Sequence, residues 1–358
     1  MNYDGDKNRI YWVDIVKIIG IFMIYLGHMG ASAGMAYNFV FQFHVALFFF
    51  VSGCMETGNK RKFVENFKNK CIHILMPFFL FFIMAILCRV VTSASFENVS
   101  DCVREMLRGG IRNHFGVGSL WFLTGLFTVE IFFSVIKKLK NNIAIVLICT
   151  GCYLVTQTLF SNNPIVTPSW VYNVDSALYY IIFYALGYVL FPYICDFYNN
   201  KQYKIIRMVL TVLLLCYSVL SFMQINLLSY ILEGYLLGNW IYGILHPMVL
   251  ILTVCCIAFY LQEMKLLRKM GSVTLYFCGS EYVVKRLLGK YVIENCELQW
   301  FYNSQIATYL YVILLLLIVY YFFVPIERWI LTKIKSQFIS KQNQCNIRTD
   351  TLIDTLYE

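Results

Sequence analysis

Charged residues are scarce in this chain. Only 14% of its 358 residues are Asp, Glu, Lys or Arg, whereas 59% are hydrophobic. A soluble domain carries about a quarter charged residues, so this scarcity argues against a soluble protein and favours a membrane protein. No period of about 20–50 residues recurs along the chain, which argues against a solenoid. No cluster of cysteine and histidine has zinc-site spacing, so we expect no metal.

The few charges that are present carry a net +9. Such an excess suits either nucleic acid or anionic lipid, and the position of the charges decides between them. They lie in short connectors between apolar segments. We therefore expect contact with the lipid bilayer and no nucleic acid.

Ten apolar runs are long enough for the roughly 20 residues that a helix needs to cross a bilayer. The ninth is the least uniform, because it contains Glu281, Lys285 and Arg286. The pattern predicts an all-α, polytopic membrane protein with about ten transmembrane helices. The runs begin near Tyr11, Asn38, Ile72, Ser119, Asn142, Asp175, Ile205, Ile241, Ser272 and Ile306.

Basic residues give the predicted topology. If the N-terminus is cytoplasmic, most of the 29 lysines and arginines fall in inside segments, as the positive-inside rule requires. The outside charge is confined almost wholly to residues 93–118. We therefore predict cytoplasmic termini, a membrane domain over residues 1–335 and a polar cytoplasmic tail over 336–358. Shorter outside loops are expected at 161–174 and 225–240.

One alternative to this topology stays open, and so does the pairing of two cysteines. The first run is followed by Ala31-Ser32-Ala33 and could be a cleaved signal peptide, although Asp14 and Lys17 interrupt its start. Cys102 and Cys296 fall in predicted outside loops, so a disulfide bridge between them is conceivable. The other cysteines lie mostly in apolar runs and act as small hydrophobic residues there.

A polar stripe marks the first run. At 100° per residue, Asp14, Lys17, Tyr25 and His28 fall on one side of a helix. Ionisable groups in a span face the protein interior or a water-filled cavity, and they indicate a functional site. Asp14 and His28 are about 21 Å apart along the helix axis. They cannot form a hydrogen-bonded pair within one helix, so the stripe follows a path across the membrane.

The residues of this region resemble acyltransferase family 3, a family of integral membrane proteins that modify surface glycans. The family pattern opens with Arg, Asp, a basic residue and His, and continues with three short elements. The matching segments here are Arg9, Asp14, Lys17 and His28; Phe43-His44-Val45-Ala46-Leu47-Phe48-Phe49-Phe50-Val51-Ser52-Gly53; Lys70, His73 and Ile74-Leu75-Met76-Pro77-Phe78; and Leu120-Trp121-Phe122-Leu123. This chain departs from the family with Lys70-x-x-His73 for Arg-x-x-Arg, with Ala46 for Pro, and with Glu281 where a late His is common.

The resemblance implies transfer of an acyl group, usually acetyl, from cytoplasmic acyl-CoA to a hydroxyl of an extracytoplasmic glycan at the cell membrane. The reaction needs a general base, and histidine suits that role. We predict that His28 is the base. His44 either assists the site or makes structural polar contacts, and Asp14 either joins the site or forms an i,i+3 pair with Lys17.

The resemblance also implies residues that bind the acyl-CoA donor or the acceptor. Asp14 and Lys17 would stand at the cytoplasmic mouth of the donor path. Lys70 and His73 would meet the CoA phosphates, unless they are ordinary positive-inside charges. Trp121 would wall the acyl path, unless it is an interfacial aromatic residue. The predicted binding residues are Arg9, Lys17, Lys70, His73, Trp121 and Glu130.

Three acidic groups lie outside this set. Glu281 and Lys285 are spaced for a structural i,i+4 ion pair. Asp175 and Glu233 lie near the predicted outer face, where they would either contact acceptor hydroxyls or sit at solvated loop edges. We favour the solvated position for both.

Two other functions remain open. A transporter or flippase would also use a polar stripe, but the sequence contains no matched pair of Gly/Pro-broken helices. A subunit that only scaffolds other glycan enzymes would tolerate loss of His28.

Overall fold

The structure is a computed structural model that describes residues 9–59, 61–93, 99–114, 118–232, 234–298 and 304–337. Within these ranges the chain forms helices and no strand, which confirms the all-α class. The α-helices, in chain order, are α1 (Tyr11–Gly27), α2 (Met35–Phe41), α3 (His44–Glu56), α4 (Phe63–Lys70), α5 (Met76–Ser93), α6 (Val99–Leu107), α7 (Trp121–Ile136), α8 (Asn142–Thr158), α9 (Val174–Asn199), α10 (Lys204–Phe222), α11 (Leu227–Leu232), α12 (Leu236–Leu261), α13 (Lys265–Gly271), α14 (Thr274–Leu288) and α15 (Gln305–Ile318).

Seven helical stretches of the described chain are long and apolar enough to cross a membrane. The other three predicted runs also form helices, but α1, α8 and α14 hold only 17, 17 and 15 residues. The structure thus supports a helical membrane protein, while the ten-span count and the orientation of the termini stay predictions. The seven stretches are Met35–Glu56, Phe63–Ser93, Gly118–Leu139, Val171–Asn199, Lys201–Phe222, Leu236–Leu261 and Gln305–Gln337.

Helix α1 lies inside the bundle, although it carries charged groups. It packs against α3, α12, α13 and α14, and Ile15, Val16 and Ile21 are fully enclosed. The backbone of α13 approaches closely, because a Cβ on Gly271 would lie 1.9 Å from the carbonyl oxygen of Asp14. The polar stripe therefore faces protein, as expected for ionisable groups in an apolar helix.

Glycine also sets the contact between α3 and α9. A Cβ on Gly53 would lie 2.0 Å from the carbonyl oxygen of Tyr184, and one on Gly187 would lie 2.0 Å from that of Phe50. Small residues let helix backbones approach in this way in membranes. The glycine that ends the FHVALFFFVSG segment therefore has a packing role.

The predicted outside loops are more tightly packed than surface connectors. The 93–118 region contains α6, and Cys102, Glu105 and Ile111 are buried. The thiols of Cys102 and Cys296 are both free, so the conceivable disulfide does not form. Glu233 and residues 338–358, which make up most of the predicted tail, lie outside the described residues.

Candidate active site

His28 directly follows the last residue of α1 and meets Glu281 of α14. Two contacts fix how α1 and α14 are aligned along each other. The Tyr25 hydroxyl donates to the carbonyl oxygen of Phe277 at 2.8 Å, and one turn further on His28 Nδ1 contacts Glu281 Oε1. Since Tyr25 and His28 are three residues apart and Phe277 and Glu281 four, both pairs form across the same helix–helix contact.

The contact assigns the proton on the His28 ring. An ionised carboxylate only accepts hydrogen bonds, so Nδ1 carries a proton and donates a hydrogen bond to Glu281. In the neutral ring Nε2 then holds a free lone pair. A histidine oriented by a carboxylate through Nδ1, with Nε2 facing the reactant, has the arrangement of a general base in acyl transfer.

Two further groups hold the Glu281 carboxylate, which is only 1% exposed. The Ser119 hydroxyl donates to Oε2 at 2.8 Å, and Lys285 Nζ lies 3.9 Å from Oε1. Lys285 also donates to the carbonyl oxygen of His28 at 2.8 Å. Gly118 has φ +64°, and a Cβ at this residue would lie 3.3 Å from Oε2. Because glycine has no Cβ, the backbone can lie close to the carboxylate.

The His28–Glu281 pair borders a cavity of about 440 Å³. Ligand sites typically occupy roughly 300–1,000 Å³, so a reactant can lie beside the imidazole. The lining residues are His28, Gly118, Glu281, Tyr282, Lys285 and Arg286.

Sequence reasoning missed the role of Glu281. The predicted pair with Lys285 exists at 3.9 Å, but the closer partner is His28, which lies 253 positions away in the chain. Helical periodicity cannot report a contact between distant helices. The available signal was a carboxylate in the middle of an apolar run, since such groups are costly in a membrane.

His44 lies apart from this pair. It is buried, its Nδ1 contacts the carbonyl oxygen of Val40 at 2.7 Å, and the Phe41 ring packs edge-on at 5.0 Å. The contact with Val40 agrees with the structural interpretation of His44, and its part in the reaction stays a prediction.

Asp14, Arg9 and Lys17 form a separate group at the opposite end of α1. Asp14 is buried and accepts from Arg9 Nε at 2.6 Å, while Lys17 Nζ lies 3.9 Å away. The structure does not bring Asp14 to His28. Two cations share one carboxylate here, which leaves the group with a net positive charge.

A second charged cluster joins α3, α4 and α7. Lys70 Nζ lies 2.9 Å from Glu130 and 3.8 Å from Glu56, and Lys137 also contacts Glu56. Asn59 donates to both Glu56 oxygens at 2.9 Å. Sequence reasoning identified Lys70 and Glu130 but missed their partners, which come from other helices. Two cations and two carboxylates balance, so the cluster has little charge left for a phosphate.

His73 lies beyond this cluster, within a π-helical turn at Cys71–Leu75. Its Nδ1 lies 3.0 Å from Lys335 Nζ, in an exposed position. The predicted pair Lys70 and His73 is therefore split between an internal ion cluster and an exposed surface.

Trp121 and Asp175 both face the protein interior. Trp121 is buried beneath the Arg112 guanidinium, 4.5 Å from its ring centroid, rather than exposed as an interfacial residue would be. Asp175 is fully buried and its Oδ2 accepts from the backbone nitrogen of Ser169 at 2.7 Å. The expectation of a solvated position for Asp175 is therefore wrong, because this carboxylate organises the 161–174 loop.

In the described part of the chain, no three His, Cys, Asp or Glu side chains group closely enough to hold a metal ion.

Comparison with known proteins identifies the family. Searches of curated proteins and of solved structures each found no match. A family model described as an acyltransferase domain matches residues 10–324, which includes α1 to α15, and the same range contains His28, Glu281 and the charged clusters except Arg9, which lies one residue before it. The chain therefore belongs to acyltransferase family 3, and it is a helical membrane acyltransferase.

Proposed function

We propose that this enzyme transfers an acyl group, acetyl by the family resemblance, from cytoplasmic acyl-CoA to a hydroxyl of an extracytoplasmic glycan. We place it in the cell membrane with ten spans and both termini in the cytoplasm. The observation that carries the proposal is the His28–Glu281 pair at the edge of a cavity. That pair supplies the base that ester formation requires.

The chemistry follows from the orientation of His28. Glu281 accepts the Nδ1 proton and favours the positive charge that develops on the ring. Nε2 takes the proton of the acceptor hydroxyl while the hydroxyl oxygen attacks the acyl carbonyl carbon. The carbon–sulfur bond then breaks, and the leaving thiolate takes the proton from Nε2. The products are the glycan ester and CoA thiol.

The opposite end of α1 is suited to the donor. Among the described residues, Arg9 and Lys17 share one carboxylate, that of Asp14, so their excess positive charge favours the phosphates of CoA. The thioester would reach His28 along the polar side of α1, a distance of about 21 Å between Asp14 and His28. Lys70 and His73 stay predicted donor contacts, but two carboxylates already neutralise the charge of Lys70.

The remaining predicted residues take supporting roles. His44 assists the reaction centre from α3, and Trp121 lines the path of the acyl group from α7. Glu130 holds Lys70 in place, since the two side chains lie 2.9 Å apart. All three are buried, which suits groups that shape a site within the bundle.

A transfer assay tests the proposal. Purified protein in lipid nanodiscs is incubated with radiolabelled acetyl-CoA and surface glycan from a strain without the gene. We expect label in the glycan with the unaltered enzyme and a loss of about 10²- to 10⁴-fold for His28→Ala. His114→Ala is a matched control, because His114 lies in an exposed turn, 3.8 Å from Glu105.

The assay also separates the alternatives. Label that never reaches the glycan, while His28→Ala abolishes a measured solute flux, would establish a transporter instead. A scaffold would show no effect of His28→Ala on any surface modification.

A further inference from the structure

Arg112 is buried in a segment that the sequence places in a polar outside loop. It follows α6, and its residue is only 9% exposed. Its backbone nitrogen donates to Asn173 Oδ1 at 2.9 Å, while Asn173 Nδ2 donates to Thr124 Oγ1 at 3.0 Å. The backbone is thus fixed against α7 and α9, and the side chain extends between these helices.

The guanidinium of Arg112 lacks a counter-charge. Its Nη1 donates to the Tyr180 hydroxyl at 3.2 Å, and its face covers the Trp121 ring at 4.5 Å. No described carboxylate lies within ion-pair distance, whereas Arg108 lies 3.6 Å from Glu105. Only one of the five N–H donors of the group therefore has an acceptor among the described residues.

An arginine in this environment is suited to an anion. A buried charge is costly unless it is paired, and the aromatic ring compensates only part of that cost. The free edge of the planar guanidinium matches the two oxygens of a carboxylate or phosphate.

Arg112 lies at the same end of the bundle as the His28–Glu281 pair. Trp121, which supports it, is two residues after Ser119, the donor to Glu281. Arg286, in the cavity wall, bonds the Ser93 hydroxyl at 2.7 Å and has no carboxylate partner in the described chain. Positive charge therefore exceeds negative charge around the proposed acceptor position.

We propose that Arg112, held over Trp121 and beside Tyr180, binds an anionic group of the acyl acceptor, so that the preferred substrate is an acidic glycan. The inference rests on the proposed function, in which a glycan hydroxyl enters the His28 cavity. The anionic group is a carboxylate or a phosphate, which the same guanidinium edge would bind.

Binding measurements without an acyl donor test this site directly. Calorimetric titration in nanodiscs compares a glucuronate-containing disaccharide with its carboxyl-reduced counterpart, and a hexose phosphate with the free hexose. We expect the unaltered protein to bind at least one acidic sugar about tenfold more tightly than its neutral partner. Arg112→Gln removes that preference and leaves neutral-sugar binding unchanged.

Two further variants control the result. Arg108→Gln, four residues earlier on an exposed and ion-paired side chain, keeps the full preference. Arg112→Lys keeps the charge but loses the planar fork, so it retains an intermediate preference. Thermal unfolding of each variant establishes that it is folded, and Arg112→Lys carries the test if Arg112→Gln is not.

The outcomes distinguish this inference from the proposed function. Equal binding of acidic and neutral sugars by the unaltered protein would refute the anion site, even if acyl transfer to a neutral glycan proceeds. Equal weakening of both sugars by Arg112→Gln would also refute it, as would unchanged binding with a lower kcat. Retained acidic preference with no acyl transfer would refute only the catalytic proposal.

Discussion

The two charged ends of the bundle contain similar groups in different arrangements. At one end, a single carboxylate of Glu281 is shared by His28, Ser119 and Lys285, and the histidine faces a cavity. At the other end, Glu56 and Glu130 face Lys70 and Lys137 in a balanced cluster. Buried charge alone therefore does not distinguish the two ends. The presence of a cavity beside the titratable group does, and it supports the His28 end as the proposed reactive site.

The largest expected effect tests whether the Glu281 charge serves catalysis. Glu281→Gln keeps the shape of the side chain but removes the charge that orients and stabilises the His28 ring. We expect kcat for acetyl transfer to fall about 10²-fold or more, with the protein still folded. Steady-state kinetics and thermal unfolding of the same preparation measure both properties.

Glu56→Gln is the matched control for that experiment. Glu56 is also buried, but it belongs to the balanced cluster. The kcat of Glu56→Gln per folded molecule should stay within about twofold of that of the unaltered enzyme. This change is much smaller than the fall expected when a general base is lost. An equal loss of kcat in both variants would remove the distinction between the two ends.

The second-largest expected effect is a loss of stability when a charge of the balanced cluster is removed. Removing one partner of a buried ion pair leaves an uncompensated charge and costs about 3–5 kcal/mol. Glu130→Gln leaves Lys70 with the longer 3.8 Å contact to Glu56, so it should lower the free energy of unfolding by at most this amount.

A double-mutant cycle with Lys70→Met identifies the source of that loss. The double variant should be less destabilised than the sum of the single variants, because neither charge is then left alone. Additive losses would mean that Glu130 and Lys70 do not stabilise each other.

How much the sequence predicts depends on how far apart in the chain the contacting residues lie. The helices and the burial of α1 follow from local apolar runs and from the cost of ionisable groups in a membrane. The separation of Asp14 from His28 follows from helical rise. The partners of His28 and Lys70 do not follow, because Glu281 and Glu130 come from helices that only the tertiary fold brings close. The burial of Arg112 was missed for the same reason.

A smaller effect is expected from the hydrogen bond of Ser119. Ser119→Ala removes one neutral donor to Glu281 but keeps its contacts with His28 and Lys285. A hydrogen bond to a charged group contributes about 1.5–3 kcal/mol, and the two remaining partners limit the loss. We expect kcat to fall roughly tenfold, less than for Glu281→Gln. A larger fall than for Glu281→Gln would mean that Ser119 acts independently of the carboxylate.

The smallest effect tests the end of α1 opposite His28. Lys17 shares Asp14 with Arg9 at the less favourable distance of 3.9 Å, so its charge is available to a phosphate. Lys17→Gln should raise KM for acetyl-CoA about two- to fivefold, the range of a partly screened ion pair. Because the proposed chemistry occurs at the other end, kcat should stay unchanged, and the effect should weaken at high salt.

Lys265→Gln is the control for Lys17, since Lys265 is exposed at the start of α13 on the same predicted side of the membrane. It should leave KM for acetyl-CoA unchanged. If both variants raise KM equally, a diffuse positive surface attracts the donor and α1 has no specific donor contact. If Lys17→Gln lowers kcat instead, the two ends of α1 are coupled in the chemical step. Only a change in KM confined to Lys17 agrees with a donor bound at one end of the helix and a base acting at the other.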